Sequence, residues 1–237
     1  KNSQMNIVRM PILPNRVLLN RPNVNTQYSL SLFNPITWYN SDGKSDALCT
    51  DKRYWNVGTY IASVKYCLSL GINVIIDLHQ NTKHLCAFGS ILTGDEFKTM
   101  WKLIAIFILQ NIDVKYHPLI WFELYNEPVN DNCSSITYNS WVDDYVIPAI
   151  GEIKNVLSDT YIIATSYGNW SGFHAWEEDS SSLTYLVKQL QIKGYTSQHN
   201  IVIGAHQYCD YDYSGSRQDG CDPDKFSDKN ITKWIQA

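Results

Sequence analysis

The stretch Ile72-Asn73-Val74-Ile75-Ile76-Asp77-Leu78-His79 is apolar and β-branched for most of its length, then closes on a carboxylate and an imidazole. Such a run, opened by Gly71, reads as a strand buried on both faces, the habit of parallel sheets covered by helices. Just upstream, Tyr54, Val57, Ile61, Val64 and Leu68 recur at spacings of three and four, so residues 53–70 read as a helix that Gly71 ends. The pattern repeats along the chain. Met5–Ile12 reads as a strand, followed by a loop from Asn15 to Asp51 rich in Asn, Pro and Ser. Thr93-Gly94-Asp95-Glu96 is a capping-box pattern that opens a helix reaching about Asn111. His117–Tyr125 reads as a strand, and 136–157 as a helix with a kink at Pro148. Tyr161–Thr165 is a strand, Leu183–Ile192 a helix, Asn200–Ala205 a strand, and Asp228–Gln236 the start of another helix.

Five strands, each followed by a helix, fit two α/β architectures: a doubly wound sheet or a barrel. No Gly-rich phosphate loop follows any strand, which weakens the nucleotide-binding sheet. Polar residues instead gather at the carboxyl ends of several strands: His79, Asn126, Glu127 and His206. A barrel collects its chemistry in that way, so the expected fold is a (β/α)8 TIM barrel, as one domain over residues 1–237.

Composition narrows the function. The chain has 237 residues, 44% of them hydrophobic, and a net charge of −4, without the Lys and Arg clusters that nucleic acid requires. The longest apolar run, Leu103–Leu109, is too short to span a bilayer. Six cysteines occur with no C-x-x-C pair, which argues against a zinc site. Cys209 and Cys221 share one loop, a barrel would bring Cys86 and Cys133 to one end, and Cys67 reads as a buried thiol. With sequons at Asn132, Asn169 and Asn230, the even cysteine count points to an extracellular, secreted setting, with N-glycans expected at Asn132 or Asn230.

The chemistry concentrates in Trp121-Phe122-Glu123-Leu124-Tyr125-Asn126-Glu127-Pro128. Glu127 ends an apolar strand, and Trp121, Phe122, Leu124 and Tyr125 would wall it. A carboxyl so placed is held protonated and can donate a proton near neutral pH. The plainer reading is a surface carboxylate at a strand end. Asn126 is either an amide aimed at a sugar hydroxyl or a turn former. Glu123, four residues earlier, reads as a structural hydrogen-bonding group deeper in the barrel. Arg9 lies in an apolar strand, where burial demands a carboxylate partner, expected to be a catalytic acid in the barrel mouth; the alternative is an edge arginine reaching solvent. His206 and Tyr208, two apart, face one way on an extended segment, as cleft residues or as packing. Asn169 and Trp170 follow the fourth strand, where an aromatic face suits the C–H-rich surface of a sugar; Trp176 reads as packing.

These segments resemble glycoside hydrolase family 5, the cellulase family, and within it the fungal-type endo-β-1,4-glucanases. The matching stretches are Asn6–Pro11, Cys67–His79, Trp121–Pro128, Gly168–Gly172 and Ala205–Gly215, in order along nearly the whole chain. The resemblance implies a retaining hydrolase of a β-glucan polysaccharide that uses no cofactor. It implies Glu127 as acid/base, Asn126 on the substrate 2-hydroxyl, Arg9 supporting the nucleophile, and His79, His206 and Tyr208 lining the reacting subsite. Trp170 would be a sugar platform, with Asn169 and Asp210 among the substrate-binding residues. A retaining mechanism needs two carboxyl groups about 5–5.5 Å apart. By the resemblance, the five strands are the family's second to sixth, and the first, seventh and eighth are absent. The nucleophilic Glu would end the seventh strand, beyond Ala237. These 237 residues are therefore expected to be an inactive part of a longer chain; a second chain completing the barrel, or a non-catalytic glycan-binding or structural relative, are the other readings. Mannan or β-1,3-glucan would be alternative substrates.

Overall fold

A computed structural model describes residues 6–12, 57–79, 92–128, 136–167, 180–195 and 199–204. Five strands form one parallel sheet: β1 (Ile7–Ile12), β2 (Asn73–Leu78), β3 (Ile120–Glu123), β4 (Tyr161–Thr165) and β5 (Ile201–Gly204). Their spatial order is β1-β2-β3-β4-β5, the order of the chain. A doubly wound sheet reverses direction at a switch point. The described strands never reverse, so the sheet winds one way, as in a (β/α)8 barrel.

The register separates two faces. Ile75, Trp121 and Tyr161 stand at one level, and Asp77, Glu123 and Ile163 at the level two residues further on. Side chains alternate along each strand, so these residues share the face away from the helices. The opposite face carries Val74, Ile76, Leu78, Ile120, Phe122, Ile162 and Ala164, all essentially inaccessible beneath the helix layer. Fully burying each larger side chain stabilises by about 1.5–3 kcal/mol. The other face is less enclosed: Ile75, Trp121, Tyr161 and Ile163 are half-buried, and Trp121 stacks on Tyr161 with ring centroids 4.3 Å apart.

The helices follow the sequence pattern with local corrections. The first, α1 (Val57–Ser69), ends before Gly71, whose φ of 72° is a backbone conformation glycine adopts without steric cost. The second, α2 (Gly94–Asn111), is opened by the expected capping box: Glu96 N–H donates to the Thr93 hydroxyl at 3.3 Å, and Thr93 N–H to the Glu96 carboxylate at 2.7 Å. Its buried side inserts Phe97, Met100, Trp101 and Ile104 into the core. Residues 117–119, expected in the strand, belong instead to a 3-10 helix, Val114–Leu119. Pro118 cannot donate to a sheet ladder, and His117 is held by a 3.1 Å contact to the Ile112 carbonyl.

The segment 136–157 is helical but not a simple kinked helix. A turn at Tyr138–Ser140 runs into a π-helical stretch, Trp141–Val146, and then α3 (Ile147–Val156). Ile147 N–H reaches back to the Val142 carbonyl, five residues away. Pro148 explains the change of pitch: it has no N–H for the Asp144 carbonyl, and its ring would crowd that carbonyl in a regular helix. Gly94 fits against the freed group, since a Cβ there would lie 2.2 Å from the Asp144 carbonyl oxygen. The fourth helix, α4 (Ser180–Ile192), precedes β5. No described helix is long and apolar enough to cross a membrane.

The expected loop 15–51, the helix at 228–236, the sequons Asn132, Asn169 and Asn230, and every cysteine but Cys67 lie outside the described residues. Cys67 is a free thiol, packed against the core but only partly buried.

Candidate active site

The carboxyl ends of β1 to β4 converge on one cluster. Arg9 is level with Ile75 and reaches toward the next inward layer, where Asp77 ends β2 but one and Glu123 ends β3. Its guanidinium grips Glu123 through two bonds, Nε to Oε2 and Nη2 to Oε1, both 2.6 Å. It also lies 3.0 Å from Asp77 Oδ2 and donates from Nη2 to Asn126 Oδ1 at 2.7 Å. This satisfies the demand that an arginine in an apolar strand makes. Among the described residues its carboxylate partners are Glu123 and Asp77. Glu123, read from the sequence as a hydrogen-bonding group, is one half of the bidentate pair. The sequence held a signal for both: Asp77 and Glu123 each stand on the inward face near the end of an apolar strand, where a carboxylate without a cation would be costly.

Asp77 also meets His79, with Nδ1 to Oδ2 at 2.6 Å. Burial pushes the Asp77 carboxyl up from its usual range, and the neighbouring Glu123 adds to this; the His79 hydrogen bond and the Arg9 charge work against it.

The turn after β3 carries Asn126 and Glu127, and its backbone is tied on both sides. Asn126 N–H donates to the Leu78 carbonyl of β2 at 3.0 Å, and Leu124 N–H to the Ile163 carbonyl of β4 at 3.1 Å. The Thr165 hydroxyl donates to the Tyr125 carbonyl at 2.9 Å, and Trp141 Nε1 to the Thr165 carbonyl at 3.0 Å. Tyr125 is fully buried against Trp141, with centroids 5.5 Å apart, and Trp141 in turn meets Phe97 and Tyr145. The result is a rigid pedestal, on which Asn126 and Glu127 are 7% and 8% exposed. Enclosure of Glu127 removes the reading of an open surface carboxylate. Trp121 and Phe122, both expected to wall Glu127, lie on opposite faces of the sheet. Phe122 turns to the helix layer and meets Trp101 edge-on at 5.8 Å, while Trp121 shares the Glu123 face and stacks on Tyr161. The period of two along a strand requires this separation.

Of the site residues expected from sequence, Arg9, His79, Asn126 and Glu127 come together at the strand ends. His206, Tyr208, Asp210, Asn169 and Trp170 lie outside the described residues. Among the described residues, no group of three or more His, Cys, Asp or Glu side chains is arranged to hold a metal ion.

The sequence profile of the cellulase family, glycosyl hydrolase family 5, matches residues 1–237. The chain belongs to this family. It is similar to the endoglucanase EG-II of Hypocrea jecorina, at 26% identity over 168 residues, covering 68% of this chain and 35% of that protein. Among solved structures it superposes on a lucidum protein with a TM-score of 0.67 and 19% identity, covering 98% of this chain and 60% of that one. It also superposes on the Pseudomonas stutzeri endoglucanase Cel5A with a TM-score of 0.57 and 17% identity, again covering 98% and 60%. The chain thus spans about a third of the curated relative's length. At these identities the structural likeness speaks for the fold, and it agrees with the one-way winding of the sheet.

Proposed function

We propose that the protein containing this chain is a retaining glycoside hydrolase that cuts internal β-1,4-glucosidic bonds of cellulose or a related β-glucan, with Glu127 as general acid and base. The observation that carries the reading is the enclosure of Glu127 beside Asn126 at the carboxyl end of β3, on a turn tied to both neighbouring strands. An acid catalyst needs a restrained position and partial shelter from water. The Arg9 bond to Asn126 Oδ1 supports the second role. With its oxygen engaged, the amide offers its N–H groups outward, toward a sugar hydroxyl. His79 lines the same mouth, and its ring is half-exposed. Membership of the cellulase family and similarity to a protein named endoglucanase EG-II support the substrate class. His206, Tyr208, Trp170, Asn169 and Asp210 are proposed to complete the cleft by the family likeness.

The nucleophile is proposed to lie on a further strand beyond Ala237, in a longer chain. Membership of the cellulase family and the need of a retaining mechanism for a second carboxyl group about 5–5.5 Å from the first support this reading. Secretion, and glycosylation at Asn132 or Asn230, belong to the same reading.

The test is turnover of a soluble cellulose derivative by the full-length protein, with NMR of the first-formed product. The β-anomer is expected at first. An α-anomer would refute retention, and binding without turnover would refute the enzyme. Labelling with a 2-fluoro glycoside should mark a Glu beyond Ala237; a label on any residue of this chain would overturn that part.

A further inference from the structure

Asp77 has no part in the chemistry proposed above, yet it is the most enclosed carboxyl of the cluster, with a side chain 0% exposed. Its two oxygens are used unequally. Oδ2 meets both His79 Nδ1, at 2.6 Å, and Arg9 Nε, at 3.0 Å. Oδ1 is buried with no hydrogen-bond partner among the described residues. Glu123, by contrast, takes Arg9 through both of its oxygens. A dry carboxylate oxygen is destabilising, and an aspartate serving charge balance alone would place both oxygens on donors, as Glu123 does.

The asymmetry has a chemical result at His79. An oxygen that already faces a guanidinium is an acceptor, so the imidazole must donate to it from Nδ1. That leaves the lone pair on Nε2, at the far side of a ring that is 51% exposed at the strand ends. The His79 backbone is held by its own N–H bond to the Ile12 carbonyl at 3.2 Å, but only a side-chain contact can choose the tautomer and hold the ring plane. Asp77 and His79 are two residues apart at the end of β2, so the sheet geometry turns both to one side.

We infer that Asp77 is a positioning residue of the glycan site: it holds His79 as the Nδ1–H tautomer and presents Nε2 as an acceptor for a sugar hydroxyl. This rests on the reading of the strand-end cleft as a glycan site. Because Oδ2 also faces Arg9, the same carboxylate ties the histidine to the guanidinium that holds Asn126.

The test uses the full-length protein and two substitutions, Asp77→Asn and Asp77→Leu. The His79 ring nitrogens are read by 15N NMR, assigned from the signals lost in His79→Gln, at a pH where the ring is neutral. Wild type should show a protonated Nδ1 and a bare Nε2. Asp77→Asn can place its amide oxygen where Oδ2 stands, so it should keep that tautomer and retain more turnover than Asp77→Leu. Asp77→Leu should admit the Nε2–H tautomer and lower kcat on a soluble cellulose derivative by about 10- to 100-fold, the usual loss when a histidine's orienting partner is removed. In the His79→Gln background, Asp77→Leu should lower kcat little further. An Nε2–H tautomer in wild type overturns the inference without any variant having to fold. So does an unchanged tautomer in Asp77→Leu, or equal losses in the two variants. A wild-type protein that shows the Nδ1–H tautomer but turns over no glucan refutes the proposed function and leaves the Asp77–His79 arrangement standing.

Discussion

Replacing Arg9 by Met in the full-length protein would remove the cation that serves two enclosed carboxylates. Glu123 and Asp77 have side chains 5% and 0% exposed, against 32% for Arg9. At an effective dielectric near 20, one such pair at about 4 Å is worth about 4 kcal/mol before desolvation. Removing one partner of a buried pair typically costs about 3–5 kcal/mol, because the remaining charge is stranded. One-third exposure of Arg9 lets water screen part of this, so the expected loss is about 2–4 kcal/mol at pH 7. The cost should depend on pH with a definite sign. A stranded carboxylate is relieved by taking up a proton, and the Asp77 carboxyl is already pushed up by burial. The loss should therefore shrink as pH falls toward 4, and Glu123→Gln in the Arg9→Met background should recover part of it. Urea unfolding of the three proteins at pH 7 and pH 4 measures both effects. A loss under about 1 kcal/mol at pH 7, or one that does not change with pH, would refute the claim that Arg9 neutralises these carboxylates.

Three further outcomes are expected. Thr165→Val removes the hydroxyl that donates to the buried Tyr125 carbonyl and sets an apolar methyl against it; it should cost about 1–3 kcal/mol in urea unfolding and lower kcat more than it raises KM. Gly94→Ala drives a Cβ against the Asp144 backbone carbonyl, which cannot rotate away as a side chain would, so Tm should fall by an amount equivalent to about 1–3 kcal/mol. Tyr60 and Tyr145 donate from their hydroxyls to the Met10 and Leu92 carbonyls, and burial raises both phenols, Tyr145 to about 12. Their folded values lie above the unfolded value near 10, so their contribution is complete below pH 10 and is lost as pH rises toward 12. Alkaline unfolding curves should be flatter in this window for the Tyr60→Phe, Tyr145→Phe double variant.

The periodicities exposed most of the frame. Near-continuous apolar runs bounded by helices placed all five strands, and Thr93 with Glu96 marked the start of α2. The π-helical stretch was not legible in the same way, because Pro148 announces an irregularity without saying how the chain absorbs it. That depends on Gly94, which is distant in sequence and leaves room for the Asp144 carbonyl. At the site, Arg9 signalled that a carboxylate must be near, but its choice of Glu123 and Asp77 depends on the register between β1, β2 and β3, and register is a tertiary property. The pairing of Asp77 with His79 could be read locally, since residues two apart at a strand end share a side. The Glu127 environment was legible only as burial. Alternation sends Phe122 to the helices and leaves the backbone ties to Leu78, Ile163 and Thr165, which have no sequence signature, to hold the turn.

The central claim is that Glu127 is the proton donor. Glu127→Gln in the full-length protein keeps the size and loses the proton. Its turnover on an unactivated β-glucan should fall by about 10²–10⁴-fold, the usual worth of a general acid. The first, glycosyl-transferring burst on an aryl glycoside with an acidic phenol should survive nearly unchanged, since such a leaving group departs without protonation. The decisive measurement is the ratio of these two losses, by stopped-flow burst kinetics on one preparation. A loss on the polymer at least a hundredfold greater than on the activated glycoside is the expected result; equal losses on both would contradict the assignment.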